Sequence, residues 1–154
     1  MGGGLGVLLF FLRFIVASTI LYLIYAKAGT YYARVVAYGA KPLLALFNYR
    51  IVMEKALAIT EDISLNPIVF LSLVIALAGV PIATRLRAAL WGCIILTAAN
   101  VITVFLAFLS TYSGSEELWT GTEFFSLTIN FFVPLLLWIL LMPVRFPIPL
   151  KGRS

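Results

Sequence analysis

Residues 88–110 read Ala88-Ala-Leu-Trp-Gly-Cys-Ile-Ile-Leu-Thr-Ala-Ala-Asn-Val-Ile-Thr-Val-Phe-Leu-Ala-Phe-Leu-Ser110. No charge interrupts the run, and Asn100 is its only strongly polar side chain. About 20 apolar residues cross the hydrocarbon core of a bilayer as a helix, so this stretch reads as a membrane span. Just before it, Thr84-Arg85-Leu86-Arg87 separates it from a second apolar stretch, 68–83, and the two read as a helical hairpin with a basic turn. Downstream, the polar and acidic segment 111–123 leads to the apolar stretch 124–142, which ends at Pro143 and a tail carrying Arg145, Lys151 and Arg153. Upstream, 5–26 is apolar around Arg13. The expectation is an all-α integral membrane protein: a single membrane domain over 1–154, with spans at about 5–26, 68–83, 88–110 and 124–142 forming a four-helix bundle.

The composition agrees. Of 154 residues, 63% are hydrophobic, and 11 basic and 6 acidic side chains are too few to cover a water-soluble globule of this size. The net charge of +5 is scattered between apolar runs, so it reads as topology; membrane lipids, and no nucleic acid, are the expected surroundings. The chain has no His, which excludes imidazole catalysis and most zinc sites. It has no P-loop, no Gly-x-Gly-x-x-Gly fingerprint and no paired Cys motif. Neither a metal nor another cofactor is expected. The single Cys93 precludes an intrachain disulfide and reads as an apolar packing residue. The N-terminal segment lacks a basic start and a small-residue cleavage site, so 5–26 is expected to be a retained helix.

Positive charges flanking the spans favour the cytoplasmic side. Arg85 and Arg87 agree with the basic tail, and 111–123 has no Lys or Arg, which predicts N-in and C-in. The long segment 27–67, with Lys27, Arg34, Lys41, Arg50 and Lys55, then forms an outer loop that Glu54, Glu61 and Asp62 partly neutralise. Its apolar spacing fits two interfacial helices broken near Gly39 and Pro42, with Tyr22, Tyr25, Tyr31 and Tyr32 as an aromatic belt. Residues 51–65 are left open between helix, hairpin and loop.

Polar groups inside spans mark faces turned to other helices. Cys93, Thr97, Asn100, Thr103 and Ala107 make one stripe, and Ser126, Asn130, Pro134 and Trp138 another; Ser72, Ala76 and Gly79 supply small contacts on the second span. The expected centre holds Asn100, Thr103 and Asn130. It reads either as a pocket for a peptide or lipid head group, or as interhelical hydrogen bonding of about 0.6–2 kcal/mol per contact. Arg13 reads as a buried cation for a partner carboxylate or as a side chain snorkelling to the head groups. Glu116, Glu117 and Glu123 read as a solvated loop, with no calcium-loop pattern. These residues suggest recognition; no catalytic residue is expected among them.

Helix order and single residues carry a family resemblance. Leu65-Asn-Pro67 opens the second span, Arg85-Leu-Arg87 makes the basic turn, and Asn100-Val-Ile-Thr103 follows on the next helix. Over about 63–146 this order resembles the exosortases and archaeosortases, membrane transpeptidases with an outward-facing Cys, an Asn-x-x-Arg motif and a later His or Arg. The chain departs at all three: no Cys lies in 64–67, Thr103 stands at the Arg position, and 111–123 has neither His nor Arg. Ala76-Leu-Ala-Gly-Val-Pro81, followed by Arg85-Leu-Arg87 and Leu90-Trp-Gly92, is more similar to the small membrane proteins that accompany exosortase H. The resemblance implies a non-catalytic accessory subunit of a protein-sorting or surface-anchoring system in a prokaryotic cytoplasmic membrane. Its partner would be a larger membrane transpeptidase, bound through Asn100, Thr103, Asn130 and Arg13. The alternatives are a transpeptidase with displaced chemistry, a small transporter or ligand-binding membrane protein, and a homo-oligomeric structural protein.

Overall fold

A computed structural model describes residues 3–63 and 65–143. The expected tail residues Arg145, Lys151 and Arg153 lie outside them. The chain forms α1 (Gly3–Ala45), α2 (Met53–Ile63), α3 (Leu65–Ala76), α4 (Ile82–Ser113) and α5 (Glu116–Leu141), with no strand among the described residues. Four stretches are long and apolar enough to cross a membrane: Gly4–Ala45, Met53–Ala76, Ile82–Ser113 and Glu116–Leu141.

The helices run further than the apolar stretches. The expected outer loop 27–67 is mostly helix, because α1 continues to Ala45 and α2 begins at Met53. Gly39 does not break α1. A Cβ there would meet Val101 Cγ2 at 2.7 Å, so the missing side chain is what lets α1 lie against α4. Pro42 sits inside the last turns of α1, where its ring removes the bond to the Tyr38 carbonyl. The exposed side of the helix carries that defect, while Ala40 and Leu44 on the other side are fully buried. The helix ends in a Schellman motif: Asn48 takes a left-handed φ of 59°, Tyr49 N–H bonds the Leu44 carbonyl at 3.1 Å and Asn48 N–H that of Ala45 at 3.1 Å. Tyr49 then stacks on Tyr112 with centroids 4.6 Å apart, and Tyr112 Oη donates to the Arg50 carbonyl, pinning the 46–52 turn to the end of α4.

The other two connections also differ from expectation: one is shorter, and the other moves from 84–87 to 77–81, which cuts the expected span 68–83 after Ala76. The acidic segment 111–123 shrinks to Gly114 and Ser115: Gly114 takes φ 64° and bonds Ser110, and Ser115 caps α5 by accepting from Leu118 N–H at 3.2 Å. Glu116 and Glu117 therefore occupy the first turn of α5, where the helix dipole favours them. Arg85 and Arg87 lie in the first turns of α4, and residues 77–81 make the turn. The Arg85 guanidinium donates to the Leu77 carbonyl at 2.6 Å, satisfying a backbone acceptor left at the end of α3.

Two apolar clusters hold the helices together. One joins Val36, Ala37, Ala40 and Leu44 of α1 to Ala56 of α2 and to Val104 and Phe108 of α4. The other, at the opposite end, joins Phe70 and Val74 of α3 to Ala88 and Leu96 of α4 and to Leu137 and Trp138 of α5. Phe70 is fully buried over Gly92, where any Cβ would run into its ring. The inward stripe of α4 is thus Ala88, Gly92, Leu96, Asn100, Thr103 and Ala107. The expected stripe through Cys93 and Thr97 is displaced by one residue in its first half, because Gly92 gives α3 the closer approach.

Candidate functional site

Between the two clusters, the long helices each contribute a polar side chain to one point. Asn66, in the first turn of α3, is fully buried, and so is Asn100 near the middle of α4. Their carboxamides face each other: Asn66 Nδ2 donates to Asn100 Oδ1 at 2.8 Å, and Asn100 Nδ2 to Asn66 Oδ1 at 3.2 Å. Asn66 Nδ2 also reaches Asn130 Oδ1 on α5 at 3.2 Å, and Asn100 Nδ2 donates to Tyr32 Oη on α1 at 2.8 Å. The periphery is looser, with Tyr32 Oη 3.5 Å from Thr97 Oγ1 and Asn130 Nδ2 donating to Ser126 Oγ at 3.5 Å.

A carboxamide suits this position because it offers both a donor and an acceptor, so two of them close a ring without any charge to desolvate. Four elements are tied in this way inside an apolar bundle, where an unpaired amide is costly. Pro134, buried on α5, has no N–H for the Asn130 carbonyl one turn earlier, so that backbone oxygen lacks its usual helical partner beside the cluster.

The structure unites only part of the expected set. Asn100 and Asn130 share the cluster through Asn66, whose Nδ2 donates to both. Thr103 is buried one turn from Asn100, yet its hydroxyl donates to the Ala99 carbonyl at 3.0 Å and takes no part in the amide ring. Arg13 is exposed on α1 and lines a separate apolar groove with Val16, Ala17, Ile20 and Ile75, well away from the asparagines. It stands 19 residues before Tyr32, about 28 Å along the helix, so no packing could bring it to the cluster. Tyr32 and Asn66 are the members that the spans expected from sequence leave out. Ending the first span at residue 26 sends Tyr32 to an aromatic belt, and starting the second at 68 leaves Asn66 in a loop. The signal for Asn66 is its place beside Pro67 directly before an apolar run, a common helix-start pattern.

Beside the cluster, toward the α4–α5 turn, a cleft of about 400 Å³ opens between α2, α4 and α5. Ile59, Thr103, Thr122, Glu123, Ser126 and Trp119 line it. Glu123 Oε1 accepts from Trp119 Nε1 at 2.9 Å, and the Thr122 hydroxyl bonds the Leu118 carbonyl. The cleft presents hydroxyls and one carboxylate at its rim, with no nucleophile–base pair. Among the described residues no three His, Cys, Asp or Glu side chains come close enough to hold a metal ion. Cys93 lies on a different face, in a groove with Leu43, Leu90 and Ala98. The chemistry on offer is hydrogen bonding and shape.

No family model, curated protein or solved structure matches this chain.

Proposed function

We propose that this chain is a non-catalytic accessory membrane protein of an exosortase-like protein-sorting or surface-anchoring system. The observation that carries the reading is the amide cluster. Asn66 and Asn100 stand where the resemblance gives a transpeptidase its working residues, and their side chains are used up on each other, on Asn130 and on Tyr32. An amide is a poor acid, base or nucleophile, so the centre braces the helices and the neighbouring cleft does the recognising.

In this reading the four apolar stretches form a transmembrane four-helix bundle with N-in, C-in orientation in a prokaryotic cytoplasmic membrane. The charge distribution supports that orientation. The end of the bundle around the 77–81 turn carries Arg85 and Arg87 and no described acid, whereas the other end mixes Arg50 and Lys55 with Glu54, Glu116 and Glu117. The partner is a larger membrane transpeptidase that inserts a polar segment into the cleft beside Thr103, Ser126 and Glu123. That cleft also favours a second reading, a small ligand-binding membrane protein whose ligand occupies the same walls.

A mild-detergent pull-down of tagged protein from native membranes tests the proposal. Stoichiometric recovery of a membrane transpeptidase is the expected result, and recovery of the chain with copies of itself alone overturns it. Two variants separate bracing from recognition. Ser126→Ala and Thr103→Val leave the Asn66–Asn100 ring intact, so they should keep the fold and lose partner capture; unchanged capture from both moves the interface away from the cleft.

A further inference from the structure

A charged seam on α1 and α2 is used by neither the cluster nor the cleft. On α1, Lys27, Tyr31, Arg34, Tyr38 and Lys41 recur at alternating spacings of four and three, share one side of the helix and are all exposed. Ala33, Val36, Ala37, Ala40 and Leu44 bury the other side. On α2 the same spacing recurs with opposite charge: Glu54, Ala58 and Glu61 are exposed, while Ala56 and Thr60 behind them are fully buried. None of these lysines, arginines or glutamates forms an ion pair among the described residues.

The two patterns also match in level. The 46–52 turn makes α1 and α2 antiparallel. Counting down from the middle of that turn at 1.5 Å per residue, Glu54 stands about 5 Å above Lys41 and Glu61 about 5 Å above Arg34. Long side chains bridge such an offset. We propose that this face docks a second copy of the same chain, with α1 of one protomer lying against α2 of the other. Two copies inserted alike in one membrane keep equal depths equal, and a two-fold axis along the bundle makes the contact twice. Lys41 then meets the partner's acid at the level of residue 54, Arg34 the acid at the level of 61, and Tyr38 packs over the small Ala58 between them. Lys27 lies below the acidic seam and takes no part. Alternating three- and four-residue spacing with charges of opposite sign is the arrangement by which packed helices select partner and register.

Charge reversal tests this on purified protein, which contains no transpeptidase, so the outcome is independent of the sorting-system reading. The wild-type chain should be a dimer by light scattering in mild detergent. Arg34→Glu with Lys41→Glu should weaken dimerisation at least tenfold, and so should Glu54→Lys with Glu61→Lys. Co-expressed under different tags, the two reversed chains should copurify with each other, because each contact then has opposite charges again. A monomeric wild-type chain overturns the proposal, as do dimers that survive both reversals or folded reversed chains that fail to pair. Acidic phospholipid that copurifies with a monomeric wild-type chain and is lost on reversal of α1 overturns it in favour of lipid head groups. Should a reversed chain not fold, Tyr38→Cys and Ala58→Cys on separately tagged copies, in a Cys93→Ser background, should cross-link in membranes; no cross-link overturns it equally.

Discussion

The two halves of α1 are both apolar, yet they meet their surroundings in opposite ways. Through residues 4–28, Leu8, Phe11, Ile15, Ile20 and Leu23 are exposed on several sides, and Ala17 is the only buried hydrophobic residue. Through 29–45, Ala33, Val36, Ala37, Ala40 and Leu44 are buried, Tyr32 turns inward to Asn100, and Tyr31, Tyr38 and the cations face outward. In water the large apolar side chains would be the ones to hide. Here small ones mark the packed face, as expected where the proposed surrounding is lipid, which accepts a Leu as readily as a protein does, so that close backbone approach decides where helices touch. Size, more than hydrophobicity, tells the two halves apart.

Substitutions along the bundle sharpen that contrast. Leu44→Ala, which opens a hole in the packed half, should lower unfolding stability in mild detergent by about 2–4 kcal/mol. Asn100→Leu leaves Asn66 and Tyr32 without their shared partner and should lower it by about 1–3 kcal/mol, with loss of helix crossing contacts visible by cysteine cross-linking. Gly39→Ala pushes a methyl into Val101, and a loss of about 1–2 kcal/mol is expected, restored in part by adding Val101→Ala. Asn48→Ala should lower stability by about 1 kcal/mol and Asn48→Gly should not, since only the left-handed backbone of the cap distinguishes them. Leu8→Ala, in the exposed half, should change stability by less than about 0.5 kcal/mol. Equal losses from Leu8→Ala and Leu44→Ala would erase the distinction between the halves.

The same contrast explains what could be read from the sequence. Apolar length is a local property, so the all-helical class and three of the four stretches able to span a membrane are legible, whereas the expected span 68–83 is cut by the 77–81 turn and the stretch reaches back instead to Met53. Charge also looked local: Lys27, Arg34 and Lys41 suggested a loop, and Gly39 and Pro42 suggested breaks. Instead, the three cations fall on one exposed side of α1, and packing of Val36, Ala37 and Ala40 against Val104 and Phe108 holds the helix through both breakers. The α4–α5 turn is legible in principle, since Gly114 followed by Ser115 and Glu116 is a stop next to a start, although the acids of 111–123 also fit a solvated loop. Asn100 and Asn130 announce themselves as amides within apolar runs. Asn66 and Tyr32 do not, because Tyr32 lies past the Lys27 that closes one apolar run and Asn66 lies just before another, and their meeting depends on contacts 34 and 68 residues apart in the chain.

At 43 residues, α1 is about 64 Å long, roughly twice the hydrocarbon thickness of a bilayer. Its upper part is clamped by α2 and α4, α3 packs along it as far as the level where Ile75 meets Ala17, and nearer the N-terminus the Phe10 ring lies 5.9 Å from that of Trp138. Mechanically this is a long rod whose contact with α5 near the N-terminus is the Phe10–Trp138 pair. One degree of tilt displaces one end of the rod by about 1.1 Å relative to the other. In the proposed membrane reading, a change in bilayer thickness that alters the tilt of α1 is felt at its ends, and the Phe10–Trp138 contact is where that displacement would register.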